Sequence, residues 1–324
     1  MTHTFSPIEV TSSSDRQQLR ISLDHQVWQA RHQVTATGGR ILDWEGPALN
    51  REASHRVLDS LFYTLDSRQI ELTNGTCEFF DTCHPAWEET EGGKALFRSD
   101  FYQIREYWLD KALWPILPDR IVQTGDIRHP RRPTVENQIL YRRFAPGLGK
   151  TITLRQATVE EDSERFHRWQ NSPRVAKFWE YPWSRERLNA MLDERRADSH
   201  STPLILEANG EAVGYFETYY AVEDRLGPYC DAAPYDQGVH VLVGEQAFLG
   251  KGQTPHWLNA VSHFLFLAEP RTRHIWGEPK ADNKAMLRHT ETTTWEKRGE
   301  FDFPHKRAAL LCNPRDRFFL DTQL

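Results

Sequence analysis

The chain has 324 residues, 39% of them hydrophobic and 27% charged, with a net charge of −6 and a pI of about 6.2. That length suits about two domains, and the acidic balance argues against a nucleic-acid binder, whose footprint is a basic surplus. Four cysteines in so long a chain do not make a disulfide framework, and no apolar run approaches the roughly 20 residues of a membrane helix.

The start, MTHTFSPIEVTSSSD, lacks the basic stretch and apolar run of a signal peptide, so a soluble cytoplasmic protein is expected. Residues 19–24 alternate apolar and polar, and residues 26–35 read as a paired strand. Asn50 is placed to cap a helix to about Ser67, with Val57, Leu58, Leu61, Phe62 and Leu65 at helical spacing. Asn74-Gly75 predicts a hairpin within residues 69–80, and a second helix is expected from Ser99 to Ala112. Cys77, Cys83 and His84 fall short of a metal-ligand set and read as ordinary thiols near a strand end, so no metal is expected. A Pro-rich, charged stretch over about 113–135 reads as a linker or wrapping segment. The chain is therefore divided into an N-terminal domain, 1–140, and a second domain, 141–324.

In the second domain a strand at 151–155 leads to a helix over 159–170, rich in acids in its first turn. A further helix covers 184–198, and Asn209-Gly210 turns a hairpin between strands at 204–207 and 212–220. The strand Gly238–Gly244 comes next, then the loop Gly250-Lys251-Gly252-Gln253-Thr254 and a helix from Pro255. A second strand ends at Glu278-Pro279, Asp282-Asn283 opens a helix over 284–292, and strands at 301–304 and 308–312 close the chain.

Strand, glycine loop, helix and strand suggest a cofactor cradle. The amides at a helix start suit phosphate, Gly250 and Gly252 let the backbone approach, and Thr254 is placed as the cap with Pro255 behind it. A plain βα turn with a good cap satisfies the same residues. In the preceding strand, Val239, Val241 and Val243 share one face, and His240 shares the other with Leu242. A histidine in so apolar a strand needs a partner, as a hydrogen-bonded core residue or as a group at a reaction centre. Asp282 and Asn283 lie past the C-terminal end of a neighbouring strand, where open α/β sheets bind ligands.

Six blocks in order resemble the siderophore branch of the GNAT acetyltransferases, of the hydroxylysine-acetylating type. They are FHRWQNSPRVAKFWE (166–180), YFETYYAVEDRLG (215–227), YDQGVHVLVGE (235–245), EPRT (269–272), EPKADN (278–283) and EFDFPHKR (300–307). The resemblance runs from about Tyr141 to Phe319. It implies an α/β (α+β) GNAT fold, a mixed, mostly antiparallel splayed sheet flanked by helices; the first 140 residues, which it does not cover, are expected to form a smaller α/β domain, as a degenerate copy of the same fold, a cap or an oligomer contact. It implies His240 and Asp282 as the catalytic pair. For acetyl-CoA it implies the main chain of Val241, Leu242 and Val243, the loop residues Gly250, Lys251, Gly252, Gln253 and Thr254, and Asn283.

The implied acceptor is a hydroxylated amine such as N6-hydroxylysine, with hydroxyornithine, hydroxyputrescine or hydroxycadaverine as variants and succinyl-CoA as a variant donor. Trp179, Glu180, Glu217, Tyr219 and Lys306 are the candidate acceptor contacts. Neither nucleic acid nor membrane is expected as a partner, and a homo-oligomer or association with pathway enzymes fits the resemblance. One departure stands out: Thr294-Trp295 occupies the place of the family's usual glycine-aromatic pair.

Overall fold

The structure, a computed structural model, describes residues 5–13, 17–36, 38–109, 116–134, 139–250 and 252–324. In the N-terminal part, β1 (Glu9–Ser12), β2 (Gln18–Leu23), β3 (Gln26–Val34) and β4 (Gly39–Glu45) form an antiparallel meander. Helix α1 (Arg51–Thr64) then crosses to β5 (Gln69–Thr73), which pairs parallel with β4. With β6 (Trp87–Thr90) and β7 (Gly93–Phe97) the sheet order is β1-β2-β3-β4-β5-β7-β6. As expected, Asn50 caps α1, its Oδ1 accepting from Ala53 N–H at 2.9 Å, and Val57, Leu58, Leu61 and Phe62 are buried.

Two expectations fail here. Asn74-Gly75 does not turn a hairpin. Thr76 folds back on the Thr73 carbonyl through both its N–H (2.9 Å) and its hydroxyl (3.0 Å), the chain enters a 3₁₀ turn at Cys77–Phe79, and β7 takes the edge of β5. The helix expected over 99–112 shrinks to α2 (Arg98–Phe101) and a 3₁₀ turn at Arg105–Tyr107. The helix ends where the Gln103 and Ile104 N–H groups turn back to the Asp100 and Phe101 carbonyls at 3.0 and 3.1 Å and the Tyr102 hydroxyl is held by Asp59 at 2.9 Å. Residues 110–115 lie outside the described residues.

Strands β8 (Ile121–Thr124) and β9 (Ile127–Pro130) make a small hairpin in the Pro-rich stretch. The large sheet begins with β10 (Ile139–Ala145) and β11 (Lys150–Gln156). Helices α3 (Val159–Gln170), α4 (Pro173–Trp179) and α5 (Arg185–Ala197) follow. Next come β12 (Ser201–Ala208), β13 (Glu211–Tyr220), β14 (Gln237–Val243), α6 (Thr254–Ala268) and β15 (His274–Gly277). The chain ends through α7 (Lys284–Leu287), β16 (Glu296–Asp302), β17 (Arg307–Pro314) and α8 (Arg315–Asp321). The order is β10-β11-β12-β13-β14-β15-β17-β16, with β14 and β15 parallel and splayed. This is the mixed, mostly antiparallel sheet that the resemblance implies.

The chain divides into two compact units: Met1–Tyr107, Phe144–Thr151 and Phe319–Leu324 in one, Trp108–Arg143 and Ile152–Phe318 in the other. The chain thus passes between them more than once, rather than at one cut near residue 140. The described part of the Pro-rich stretch belongs to the second unit. Arg132 fixes it there with a bidentate pair to Glu223 (2.7 Å each) and by lying 3.6 Å over the Tyr220 ring.

Within the second unit, β12 and β13 are buried almost continuously, as strands covered on both faces are. One cover is α3 and α5, whose Phe166, Trp169, Leu188 and Leu192 pack with Ile205, Tyr215 and Leu242. Asp162, buried in the first turn of α3, joins Arg155 at 2.8 Å and locks the helix to β11. Helix α6 is apolar on every side and buried from Trp257 to Ala268 apart from Asn259, as a helix without a polar face must be.

Candidate active site

Strand β14 carries the centre of the site. In an antiparallel pair, alternate residues exchange both main-chain bonds. Gly244 N–H bonds the Val213 carbonyl at 2.9 Å, so by the β13 to β14 register Leu242 and His240 also turn their main chains toward β13. Val239, Val241 and Val243 turn theirs toward β15. That strand pairs with β14 only at Gln237↔Ile275 and Gly238↔Trp276 and then parts from it. Val241 therefore presents its amide and carbonyl to an open gap, while the Val243 carbonyl is taken by Arg174 at 2.7 Å.

His240 sits where the strands part. Register places it opposite Glu217 of β13, and Glu278 follows β15 directly. Nδ1 lies 3.2 Å from Glu217 Oε1 and Nε2 lies 2.8 Å from Glu278 Oε1. The outer carboxylate oxygens accept from the Tyr215 and Tyr219 hydroxyls, each at 2.8 Å. Tyr219 also packs its ring on His240, with centroids 4.7 Å apart. Gly238 makes that possible, because a Cβ there would stand 2.2 Å from the Tyr219 ring.

The electrostatics follow from this arrangement. Burial alone would lower the His240 pKa, but Glu278 and Glu217 outweigh it and push it up to about 10. Burial would raise both carboxyls, yet His240 holds Glu217 down to about 2 and Glu278 well below the usual carboxylate range. A carboxylate at each ring nitrogen favours the imidazolium, which donates from both, over the neutral ring. Its side chain is 21% exposed and faces a cavity of about 360 Å³.

The structure treats the expected residues unequally. Among the described residues His240 is partnered by Glu217 and Glu278, not by Asp282. Asp282 is exposed and does not line the cavity, because it stands four residues past Glu278 in the turn before α7. Glu217, expected as an acceptor contact, lines the cavity as a buried partner of His240. Trp179 and Tyr219 also line it, with Trp179 edge-on to His240 at 6.3 Å. Glu180 does not. It ends α4 in the left-handed region (φ 64°), turned outward to Lys280 at 2.6 Å. Lys306 lines the cavity and gives one of its three donors to the Glu278 carbonyl at 2.7 Å.

At the other end of β14, Gly250 and Gly252 take φ of +74° and +71°, and Lys251 lies outside the described residues. Thr254 does not cap α6. The helix already includes it, and the N-cap is Gln253, which makes no side-chain capping bond. The Gln253 and His256 N–H groups bond the Gly250 and Gln253 carbonyls at 3.0 Å each and Pro255 has none, which leaves the Thr254 amide for another acceptor, and the dipole of the 15-residue helix favours an anion there. Asn283 caps α7, accepting from Met286 N–H at 3.2 Å, and lines the cavity. That helix is shorter than expected, passing into 3₁₀ at Arg288–Glu291. Thr294 then bonds Asn313 at 2.8 Å and Trp295 is buried at the cavity, so the departure from the family pattern is built into the wall. The open main chain of Val241 and the uncapped start of α6, on either side of a positive-φ loop, fit the pantetheine arm and diphosphate of a coenzyme A thioester.

Glu278 was missed as a site residue. Its signal was an acid at the C-terminal end of the strand beside β14, the same argument that pointed to Asp282. No group of three or more His, Cys, Asp or Glu side chains able to hold a metal occurs among the described residues, and none of their helices is long and apolar enough to cross a membrane.

Residues 158–303 match the acetyltransferase (GNAT) domain family. The chain is 39% identical over 230 residues to the N(6)-hydroxylysine O-acetyltransferase of Escherichia coli, covering 71% of this chain and 73% of that one. It is 37% identical over 206 residues to the N(5)-hydroxyornithine:cis-anhydromevalonyl coenzyme A-N(5)-transacylase of Beauveria bassiana, covering 62% of this chain and 45% of the relative. A crystal structure of an uncharacterized protein from Bacillus halodurans aligns with a TM-score of 0.52 at 27% identity, covering 55% of this chain and 91% of that one.

Proposed function

Because the chain belongs to the GNAT acetyltransferases and is an acyl-CoA-dependent N-acyltransferase, we propose that it acetylates the hydroxylamine nitrogen of N6-hydroxylysine, giving a hydroxamate for siderophore synthesis. The observation that carries this reading is the Glu217–His240–Glu278 cluster at the point where β14 and β15 part. The relatives that act on hydroxylysine and hydroxyornithine support the acceptor class.

Acetyl-CoA supplies the activated acetyl group as a thioester. The Val241 main chain and the α6 start hold the donor, with Asn283 near its thiol end. A hydroxylamine nitrogen is largely neutral at working pH, so it needs little help from a base. His240 cannot begin as that base, since both its ring nitrogens already donate. We assign it instead as the acid for the departing thiol: the longer bond, to Glu217, is the one that yields. The neutral ring then takes the proton shed as the amide forms, and that proton restores the imidazolium between the two carboxylates. Asp282, at the rim, has a supporting role in placing the acceptor at most. The N-terminal unit is, in this reading, a non-catalytic copy of the same fold, and the enzyme works in the cytoplasm, alone or with other enzymes of its pathway.

A thiol-release assay with acetyl-CoA against N6-hydroxylysine, N5-hydroxyornithine, N-hydroxycadaverine and lysine tests the reading. Turnover should be fastest with hydroxylysine, and the product should give the ferric colour of a hydroxamate. A colourless O-acetyl product would move the transfer to oxygen, and no turnover of any hydroxylamine would remove the reading.

A further inference from the structure

The charged residues that line the cavity are nearly all committed. Glu217 is bound to His240, and Arg195 stands 3.4 Å from it as an ion pair, with its Nε left without a hydrogen bond. Glu278 holds His240, and Lys306 gives one donor to the Glu278 carbonyl. Lys280 is paired with Glu180, and Glu223 with Arg132. Asp224 faces His200 and accepts from Leu226 N–H at 2.9 Å.

Arg225 is the more exposed of the two lining arginines that make no hydrogen bond among the described residues. It lines the same cavity, its side chain is 47% exposed, and its guanidinium makes no hydrogen bond among the described residues. Its nearest carboxylate, Glu278 Oε1, is 3.7 Å away, beyond hydrogen-bond reach and already serving His240 at 2.8 Å. Arg225 is nonetheless placed. The Asp224 side chain and carbonyl close the turn that carries it, the carbonyl accepting from Gly227 N–H at 2.9 Å, and the guanidinium lies 5.6 Å over the Phe303 ring. It belongs to the connection between β13 and β14, at the start of β14, whereas the glycine loop lies beyond the end of that strand. A cation there is on the acceptor's side of the reaction centre, away from the diphosphate.

We propose that Arg225 is the specificity residue that reads a carboxylate on the acceptor, so that the enzyme takes a hydroxylated amino acid in preference to a hydroxylated diamine. The inference rests on the acyl transfer proposed above and deepens it. A planar guanidinium with free donors matches a carboxylate through two parallel bonds, and such a bond is a strong one even near a surface. Lys306, the earlier candidate, already gives one donor to the Glu278 carbonyl, and its ammonium offers a point charge where Arg225 offers a planar fork.

The test uses the whole protein with N6-hydroxylysine and N-hydroxycadaverine, which share the reacting end and differ in the α-carboxylate. The wild type should favour hydroxylysine by about 10- to 100-fold in kcat/KM, expressed mainly in KM. Arg225→Ala should bring the two acceptors close to parity, and Arg225→Lys should restore part of the preference. Calorimetry of both compounds with the CoA-loaded protein should show the same pattern without turnover. An unchanged preference in Arg225→Ala, or an equal loss for both acceptors, would overturn the assignment. If neither compound is acetylated, the acyl-transfer reading falls, and the calorimetric difference still decides whether Arg225 reads the carboxylate.

Discussion

The two large sheets have the same strand order, yet only one is built as a site. β1 to β7 repeat β11 to β17: an antiparallel meander, one helix crossing to a parallel fifth strand, and a last strand inserted between the fifth and sixth. When the first parallel pairs, Gly39↔Ile70 and Gln237↔Ile275, are superposed, His240 corresponds to Leu42 and Glu278 to Thr73. In the N-terminal sheet the gap between the parallel strands is plugged from within. Thr73 and Thr76 place their hydroxyls 3.3 and 3.5 Å from the carbonyls of Leu42 and Ile41. Its helix start is also occupied, because Asn50 caps α1 where α6 has no side-chain cap. A third difference is the insertion of α3 to α5 between β11 and β12, which covers a face that the N-terminal sheet leaves open. There β2 and β3 alternate buried and exposed residues, whereas β12 and β13 are buried almost continuously. A main chain that satisfies itself has nothing left to offer a ligand, so one topology yields a scaffold or a site according to whether its amides are spent internally.

The largest test of this contrast is the loss of the charge cluster. His240→Ala should lower kcat by about 10²- to 10⁴-fold with a much smaller change in KM for acetyl-CoA, read by steady-state kinetics. Leu42→Ala should leave kcat unchanged and register only in thermal melting. Equal losses of turnover and cofactor affinity in His240→Ala would make the histidine structural.

The pH dependence sharpens the same point. The raised pKa of His240 contributes stability that is complete below its ordinary value of 6.5 and is lost as pH rises through about 10. The depressed pKa of Glu217 contributes stability that is complete above its ordinary 4.5 and is lost as pH falls toward about 2. If the imidazolium is the working form, kcat should stay level between about pH 7 and 9 and fall near the His240 pKa. A kcat that climbs toward that pKa would instead identify neutral His240 as the base.

Smaller effects should follow from moving one cap. Gln253→Asp gives α6 the kind of cap that α1 has. It should stabilise the fold by about 1 kcal/mol in denaturant melts and raise KM for acetyl-CoA about tenfold, by setting a carboxylate where the diphosphate belongs. A KM that does not move would place the diphosphate elsewhere. The smallest change is Asn50→Ala, which should cost about 1 kcal/mol of stability and leave acetyl transfer intact.

Much of this was legible from the residues. The strand, loop, helix and strand around His240 fall where periodicity puts them. So do the Asn209-Gly210 hairpin, whose residues take φ of +51° and +80°, and the Asn50 cap. What misled were signals that local rules rank highly. Asn74-Gly75 is a strong hairpin dipeptide, but β7 arrives from outside the local window and claims the edge of β5. Thr254 is a good capping residue, but the helix begins one residue too early for it to cap.

By itself the sequence determined most elements of the second unit through short-range periodicity and set His240 apart as one costly polar residue in an apolar strand, while the fold class and the role of that histidine came from six blocks that resemble a known family. It also determined the glycine loop, since positive φ at Gly250 and Gly252 follows from residue type. Only the tertiary structure decided which carboxylates face His240. Glu217 reaches it through antiparallel register from 23 residues away, and Glu278 through a parallel neighbour 38 residues away. Asp282, the more conspicuous acid, is carried past the ring by the turn that leads into α7. Register and strand splay are set by the packing of the whole sheet, and no window of sequence contains them.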